Sequence, residues 1–122
     1  MDNFESQNKS AYSNGAEPPK IRLIDFAEIL SMLSKQQRED IIADYDMNKF
    51  IKIFKDSGMM QTIDVFLESG MNISRTAKIL YMHRNTLIYK LNSIRKSTGL
   101  DLRDFHKAAT FKMLHTLYVL NK

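Results

Sequence analysis

From Ile21 onward, apolar residues recur at three- and four-residue steps, the spacing that gathers them on one face of a helix. Leu23, Phe26, Ala27, Leu30 and Leu33 keep this spacing, and Ile24, Ile29 and Met32 widen the stripe. A helix with a broad apolar face is predicted, ending near Ser34-Lys35. A second helical stretch carries Ile41 and Ile42, then Met47, Phe50, Ile51 and Phe54, and stops at Ser57-Gly58. Asp44 to Asn48 offer a place for it to break in two. A third helix is predicted from about Met60 to Ser69 through Ile63, Phe66 and Leu67, with Gly70 as its C-terminal stop. Asn72 or Ser74 suits the N-cap of the next helix, in which Ile73, Ala77, Ile79 and Leu80 are expected to face the core. The small side chain of Ala77 lets two helices cross closely. The turn Tyr81-Met82-His83 leads into a longer helix with Leu87, Leu91 and Ile94 as its core stripe and Gly99 at its end. After the link Leu100 to Asp104, Phe105 to Leu120 forms a last amphipathic helix through Ala108, Phe111, Leu114 and Leu117. No segment alternates as a strand does and none repeats. The predicted fold is all-α, a small helical bundle containing a helix-turn-helix, with a helical N-terminal extension.

Three regions follow. Residues 1–20, rich in Ser, Asn and Gln with Gly15, Pro18 and Pro19, are too polar to bury much and predict a disordered arm. Residues 21–58 form the helical N-terminal region, and residues 59–122 the helix-turn-helix domain. Composition narrows the chemistry. The chain has 122 residues, 43% hydrophobic, with no cysteine, which excludes a disulfide framework, a thiolate metal site and a cysteine nucleophile. His83, His106 and His115 are not spaced as helical metal ligands, and no paired carboxylates or glycine-rich phosphate loop accompany them. Neither an enzyme nor a cofactor or metal is expected. No apolar run approaches the roughly 20 residues that span a bilayer, and the polar start lacks the basic and apolar segments of a signal peptide. The expectation is a cytoplasmic, nucleoid-associated protein without a membrane partner.

Charge is unevenly divided. Residues 1–60 hold 8 Lys+Arg against 10 Asp+Glu, whereas residues 61–122 hold 10 against 4. Between Met71 and Leu100 lie Arg75, Lys78, Arg84, Lys90, Arg95 and Lys96 and no acidic side chain. A short helix, a three-residue turn and a longer basic helix have the layout of a helix-turn-helix, and such a charge pattern suits a polyanion whose counterions it displaces. With Leu87, Leu91 and Ile94 inward, Arg84, Asn85, Ile88, Tyr89, Asn92 and Lys96 face outward on a recognition helix spanning about 84–97. Arg matches guanine bidentately, Asn matches adenine, and Ile88 can lie against a thymine methyl. Ser74, Arg75, Thr76, Thr86 and Lys90 suit phosphate contacts that set register. Tyr89 is divided between a phosphate contact and half-buried packing, and Asn85 and Thr86 between base contact and local hydrogen bonding.

The block Asn72-Ile-Ser, Thr76-Ala, His83-Arg-Asn-Thr-Leu, Tyr89-Lys-Leu and Thr98-Gly-Leu resembles the C-terminal helix-turn-helix domain of the PucR/CdaR transcription regulators. The resemblance covers roughly residues 60–120. It implies DNA binding by the helix that starts near His83, with His83, Arg84, Asn85, Thr86, Tyr89 and Lys90 as the contact set. Ile88 departs from the family, whose members usually carry Arg there. They also usually place a sensory region ahead of this domain, and with only residues 21–58 in that position, ligand sensing of the usual kind is not expected. A weaker similarity, to the Fis nucleoid protein, rests on Ala77, Arg84, Thr86, Leu87, Lys90 and Leu91.

The function these readings predict is a transcriptional regulator that binds double-stranded DNA. A homodimer is expected through residues 21–57, because the apolar face there is wider than one short partner helix covers. Two alternatives stand beside it: a small helical adaptor that binds another protein, and a Fis-like architectural DNA-binding protein.

Overall fold

The computed structural model describes residues 17–122 and places seven α-helices in them. These are α1 (Phe26–Leu30), α2 (Lys35–Ile42), α3 (Asn48–Phe54), α4 (Ser57–Glu68), α5 (Ile73–Ile79), α6 (Arg84–Thr98) and α7 (Phe105–Leu120). The described residues include no strand. The arm expected over residues 1–20 lies outside them apart from residues 17–20, which are exposed and without regular structure.

The first helix is far shorter than its apolar stripe predicts. Asp25 adopts an extended conformation and its carboxylate accepts from the Glu28 amide at 2.8 Å, so the helix begins only at Phe26. It ends at Leu30 because Ser34 opens a new capping box four residues on, with Ser34 Oγ and the Gln37 side chain each accepting from the other's backbone amide. Only Leu30 of α1 is buried. Ile21 and Leu23, counted in the helix from their spacing, lie outside any helix and are exposed. The second predicted stretch does break in two, into α2 and α3.

The core draws on α3 to α7. Ile63 and Phe66 from α4, Leu87, Leu91 and Ile94 from α6, and Phe111 and Leu114 from α7 are its deepest members. Phe50 and Phe54 of α3 join them, with Phe54 edge-on to Phe111 at 5.5 Å between ring centroids. Helix α3, which precedes residue 59, therefore packs into the same core as the helices that follow. Leu102, in the link between α6 and α7, is wholly buried, although the link reads as polar. Its turn is pinned by Arg103, which donates to Asp101 at 2.8 Å and to the Asn92 side chain at 2.7 Å. The Arg103 hydrogen bond holds the Asp101 carboxyl below the usual carboxylate range. At the far end of α7, Arg38 of α2 donates to the Asn121 side chain at 2.7 Å and to the Leu33 carbonyl at 2.8 Å.

His115 packs its ring on Phe54, 5.1 Å between centroids. Burial, followed by the neighbouring Lys112, lowers its pKa below the ordinary value of 6.5. In the window below 6.5 the unfolded chain binds more protons than the folded one, so stability is complete above that value and declines as pH falls through it. Denaturant titrations between pH 7.5 and pH 5.5 are expected to show this decline, and His115→Gln is expected to flatten it.

Candidate nucleic-acid interface

Two buried hydroxyls fix how α5 sits on α4. Ser69 Oγ and Thr76 Oγ1 are 2.6 Å apart, and Thr76 also donates to the Asn72 carbonyl at 2.7 Å. Between the helices the chain turns through two left-handed residues, Gly70 and Met71, with φ of 73° and 61°. The Met71 amide donates to the Phe66 carbonyl at 2.8 Å, closing the end of α4. Asn72 then caps α5 by accepting from the Arg75 amide at 2.8 Å.

The next turn aims α6. Ala77, nearly buried, lets α5 and α6 approach, and its carbonyl accepts from the Met82 amide at 2.8 Å. Tyr81 is left-handed at φ 52°. His83 caps α6, its Nδ1 accepting from the Asn85 amide at 3.1 Å, which leaves Nε2 as the ring's donor. Four residues, Leu80 to His83, separate the two helices, one more than the three-residue turn expected from the sequence, because α5 ends at Ile79 with Leu80 as its C-cap. Ile79, expected in the core, is instead half exposed, because Ala77 and Thr76 already occupy the buried side of this short helix.

Helix α6 then divides cleanly. Leu87, Leu91 and Ile94 are at most 1% exposed. At about 100° per residue, Asn85, Tyr89, Asn92 and Lys96 form the row directly opposite, and all four are exposed. Arg84, Thr86 and His83 are exposed as well, whereas Ile88 and Lys90 are half-buried at the flanks. Tyr89, divided in the sequence between surface and packing, is 74% exposed. Ser74 and Arg75 are exposed on α5, and Arg84 Nη1 donates to Ser74 Oγ at 3.2 Å, joining the two helices into one surface.

Thr76 does not belong to that surface. Its side chain is wholly buried and its hydroxyl is committed to Ser69 and Asn72, so the phosphate contact expected of it is withdrawn. A residue absent from the sequence expectation takes its place. Tyr81 is 98% exposed in a conformation that costs an L-residue roughly 1–2 kcal/mol. An aromatic ring kept there packs against nothing in its own chain. Spacing could not reveal it, since the signal is a backbone angle.

Among the described residues, Arg75, Lys78, Arg84, Lys90, Arg95 and Lys96 form no ion pair; the three pairs present are Arg22–Glu28, Asp101–Arg103 and Asp64–Lys112. Two helices joined by a tight turn, the second inserted edgewise in the core and basic on its free face, define a helix-turn-helix. Residues 59–116 match the PucR C-terminal helix-turn-helix domain.

Among similar proteins, the purine catabolism regulatory protein of Bacillus subtilis (strain 168) is 44% identical over 50 residues, 41% of this chain and 9% of that protein. The carbohydrate diacid regulator of Escherichia coli (strain K12) is 38% identical over 56 residues, 45% of this chain and 14% of its own length. The DNA-binding transcriptional activator AdeR of Bacillus subtilis (strain 168) is 27% identical over 95 residues, 72% of this chain and 22% of that protein. The chain thus spans less than a quarter of each of these three relatives. No solved structure matches it significantly.

Tyr81 gives a direct check on this turn. Asn tolerates the left-handed conformation, so Tyr81→Asn is expected to stabilise the fold by up to about 1 kcal/mol in denaturant titrations. A loss of stability would show that the ring makes packing contacts after all.

Proposed function

We propose that this chain binds double-stranded DNA as a homodimer, inserting α6 into the major groove, and regulates transcription. The observation that carries the reading is the exposed row Asn85, Tyr89, Asn92 and Lys96 on a helix whose opposite side is locked in the core. With α6 in the groove, Arg84 and Asn85 lie in its first turn, where a recognition helix reads base edges. Arg84 reads guanine, Asn85 reads adenine and Ile88 meets a thymine methyl. His83 through Nε2, Tyr81 and Tyr89 through their hydroxyls, and Ser74, Arg75, Thr86 and Lys90 hold phosphates. The match of residues 59–116 to the PucR C-terminal helix-turn-helix domain and the names of the similar proteins, regulators and an activator, support the same reading.

The dimer is proposed to form through residues 21–57. Phe26, Ile29 and Met32 leave much of their apolar surface in water, and Ile41 of α2 adds to it. A two-fold pair would set two recognition helices about 34 Å apart, one turn of duplex.

Contact classes separate by mutation. Arg84→Ala and Asn85→Ala are each expected to cost roughly 1–3 kcal/mol on the preferred site and to relax base preference. Lys90→Ala is expected to weaken all sequences alike and to reduce the salt slope by about one. Tyr81→Asn should weaken binding while it stabilises the fold. Fluorescence anisotropy on duplexes at several salt concentrations measures all four, and unchanged affinity in every folded variant would overturn the assigned face.

A further inference from the structure

On the side of the molecule built by α4 and α7, an open apolar groove of about 300 Å³ runs between the helices. Its floor is Leu67, Met71, Phe105 and Ala108, and Phe26 of α1 closes one end. Phe105 is 66% exposed beside it, a large apolar ring left in water. Asp64 and Glu68 stand at its edge, and Lys112, which also lines it, pairs with Asp64 at 3.4 Å and leaves Glu68 without an ion pair among the described residues. Asp64 and Glu68 are two of only four acidic residues in the basic half of the chain, residues 61–122. With two carboxylates against one lysine around an apolar floor, this groove favours an occupant that is mainly apolar and carries positive charge over nucleic acid.

The chain itself carries such a segment. Lys20-Ile-Arg-Leu-Ile24 has no regular structure, and its apolar members are 79% (Ile21), 86% (Leu23) and 54% (Ile24) exposed. Pro18 and Pro19 precede it, restricting their own φ angles and the residue before each proline to extended conformations, which lowers the entropy cost of ordering on binding. Its two charges, Lys20 and Arg22, are both positive. Arg22 is paired only across the surface, to Glu28 at 2.7 Å with 70% of its side chain exposed, an arrangement weak enough to exchange. The segment leaves the fold at Asp25, next to the Phe26 that ends the groove.

We propose that residues 20–24 of one chain seat in the α4–α7 groove of a second copy, with Ile21 and Leu23 on the apolar floor and Lys20 and Arg22 toward Asp64 and Glu68. Two-fold symmetry makes the exchange reciprocal, so two arms fill two grooves and no apolar end is left open. The proposal rests on the dimer reading above and specifies its interface. It extends the contact beyond residues 21–57 to α4 and α7, and leaves the outward row of α6 free for DNA.

The absence of cysteine in the chain makes the test clean. Two differently tagged full-length variants, Leu23→Cys in the arm and Ala109→Cys in the groove wall, are mixed and mildly oxidised. Both changes are small or solvent-facing, and a disulfide forms only when the two Cα atoms come within about 7 Å. The expected product is a mixed-tag disulfide dimer, several-fold more abundant than with Lys96→Cys in place of Ala109→Cys. Leu23→Asp is expected to raise the dimer dissociation constant at least tenfold in sedimentation equilibrium. If the unaltered protein sediments as a dimer but the mixed-tag product does not exceed the control, this interface is wrong and the dimer stands. If it sediments only as a monomer at tens of micromolar, the dimer itself fails. A Leu23→Cys/Ala109→Cys double variant that closes only within one chain would show the arm folding onto its own groove, and would also overturn the exchange.

Discussion

The exposed surface of the helix-turn-helix is aimed by the burial of one face of α6. Leu87, Leu91 and Ile94 are removed from water almost completely, and each contributes roughly 1.5–3 kcal/mol by that burial. A helix so held has one rotational setting. The positions half a turn away must then face solvent, and they carry asparagine, tyrosine and lysine in place of the glutamates and alanines that would best suit an exposed helix. Leu87, Leu91 and Ile94 join one cluster with Phe50 and Phe54 of α3, Ile63 and Phe66 of α4 and Phe111 of α7, so the direction of the outward row is a consequence of core packing.

The turns on either side of α5 refine that setting at a local cost. Met71 and Tyr81 are both left-handed, a conformation glycine adopts freely and these residues do not. Met71 is compensated by packing against the core. Tyr81 has no such compensation within the described residues, and its exposed ring is the one proposed above to meet a phosphate. The six basic residues of Met71 to Leu100 add a second cost, since like charges gather in one stretch with no carboxylate in it. Mutual repulsion of this kind is relieved by a polyanion. Hydroxyl pairing between Ser69 and Thr76 holds the two helices together beneath this repelling surface.

Much of this was legible beforehand where periodicity and punctuation agreed. The core stripe of α6, Gly99 as its end, Asn72 as a cap and the whole of α7 each followed from apolar spacing next to a residue with a mechanical reason to start or stop a helix. Spacing alone misled at Ile21 to Leu33, where the apolar stripe is real but Asp25 and Ser34, two capping residues, interrupt it. Thr76 was misplaced because a threonine beside an arginine reads as surface, and only the partner hydroxyl of Ser69, seven residues away, makes its burial favourable. Leu102 and the α4–α7 groove depend on contacts between segments distant in sequence, which no local pattern records.

The central claim is that the outward row of α6 reads duplex DNA. Its most direct test is selection of the purified protein on a random duplex library, followed by sequencing, at two salt concentrations. The account predicts enrichment of a two-fold symmetric motif with half-sites about ten base pairs apart, bound more weakly at the higher salt. Salt-sensitive binding without any motif would contradict base reading by α6, and no binding even at low salt would contradict the DNA interface altogether.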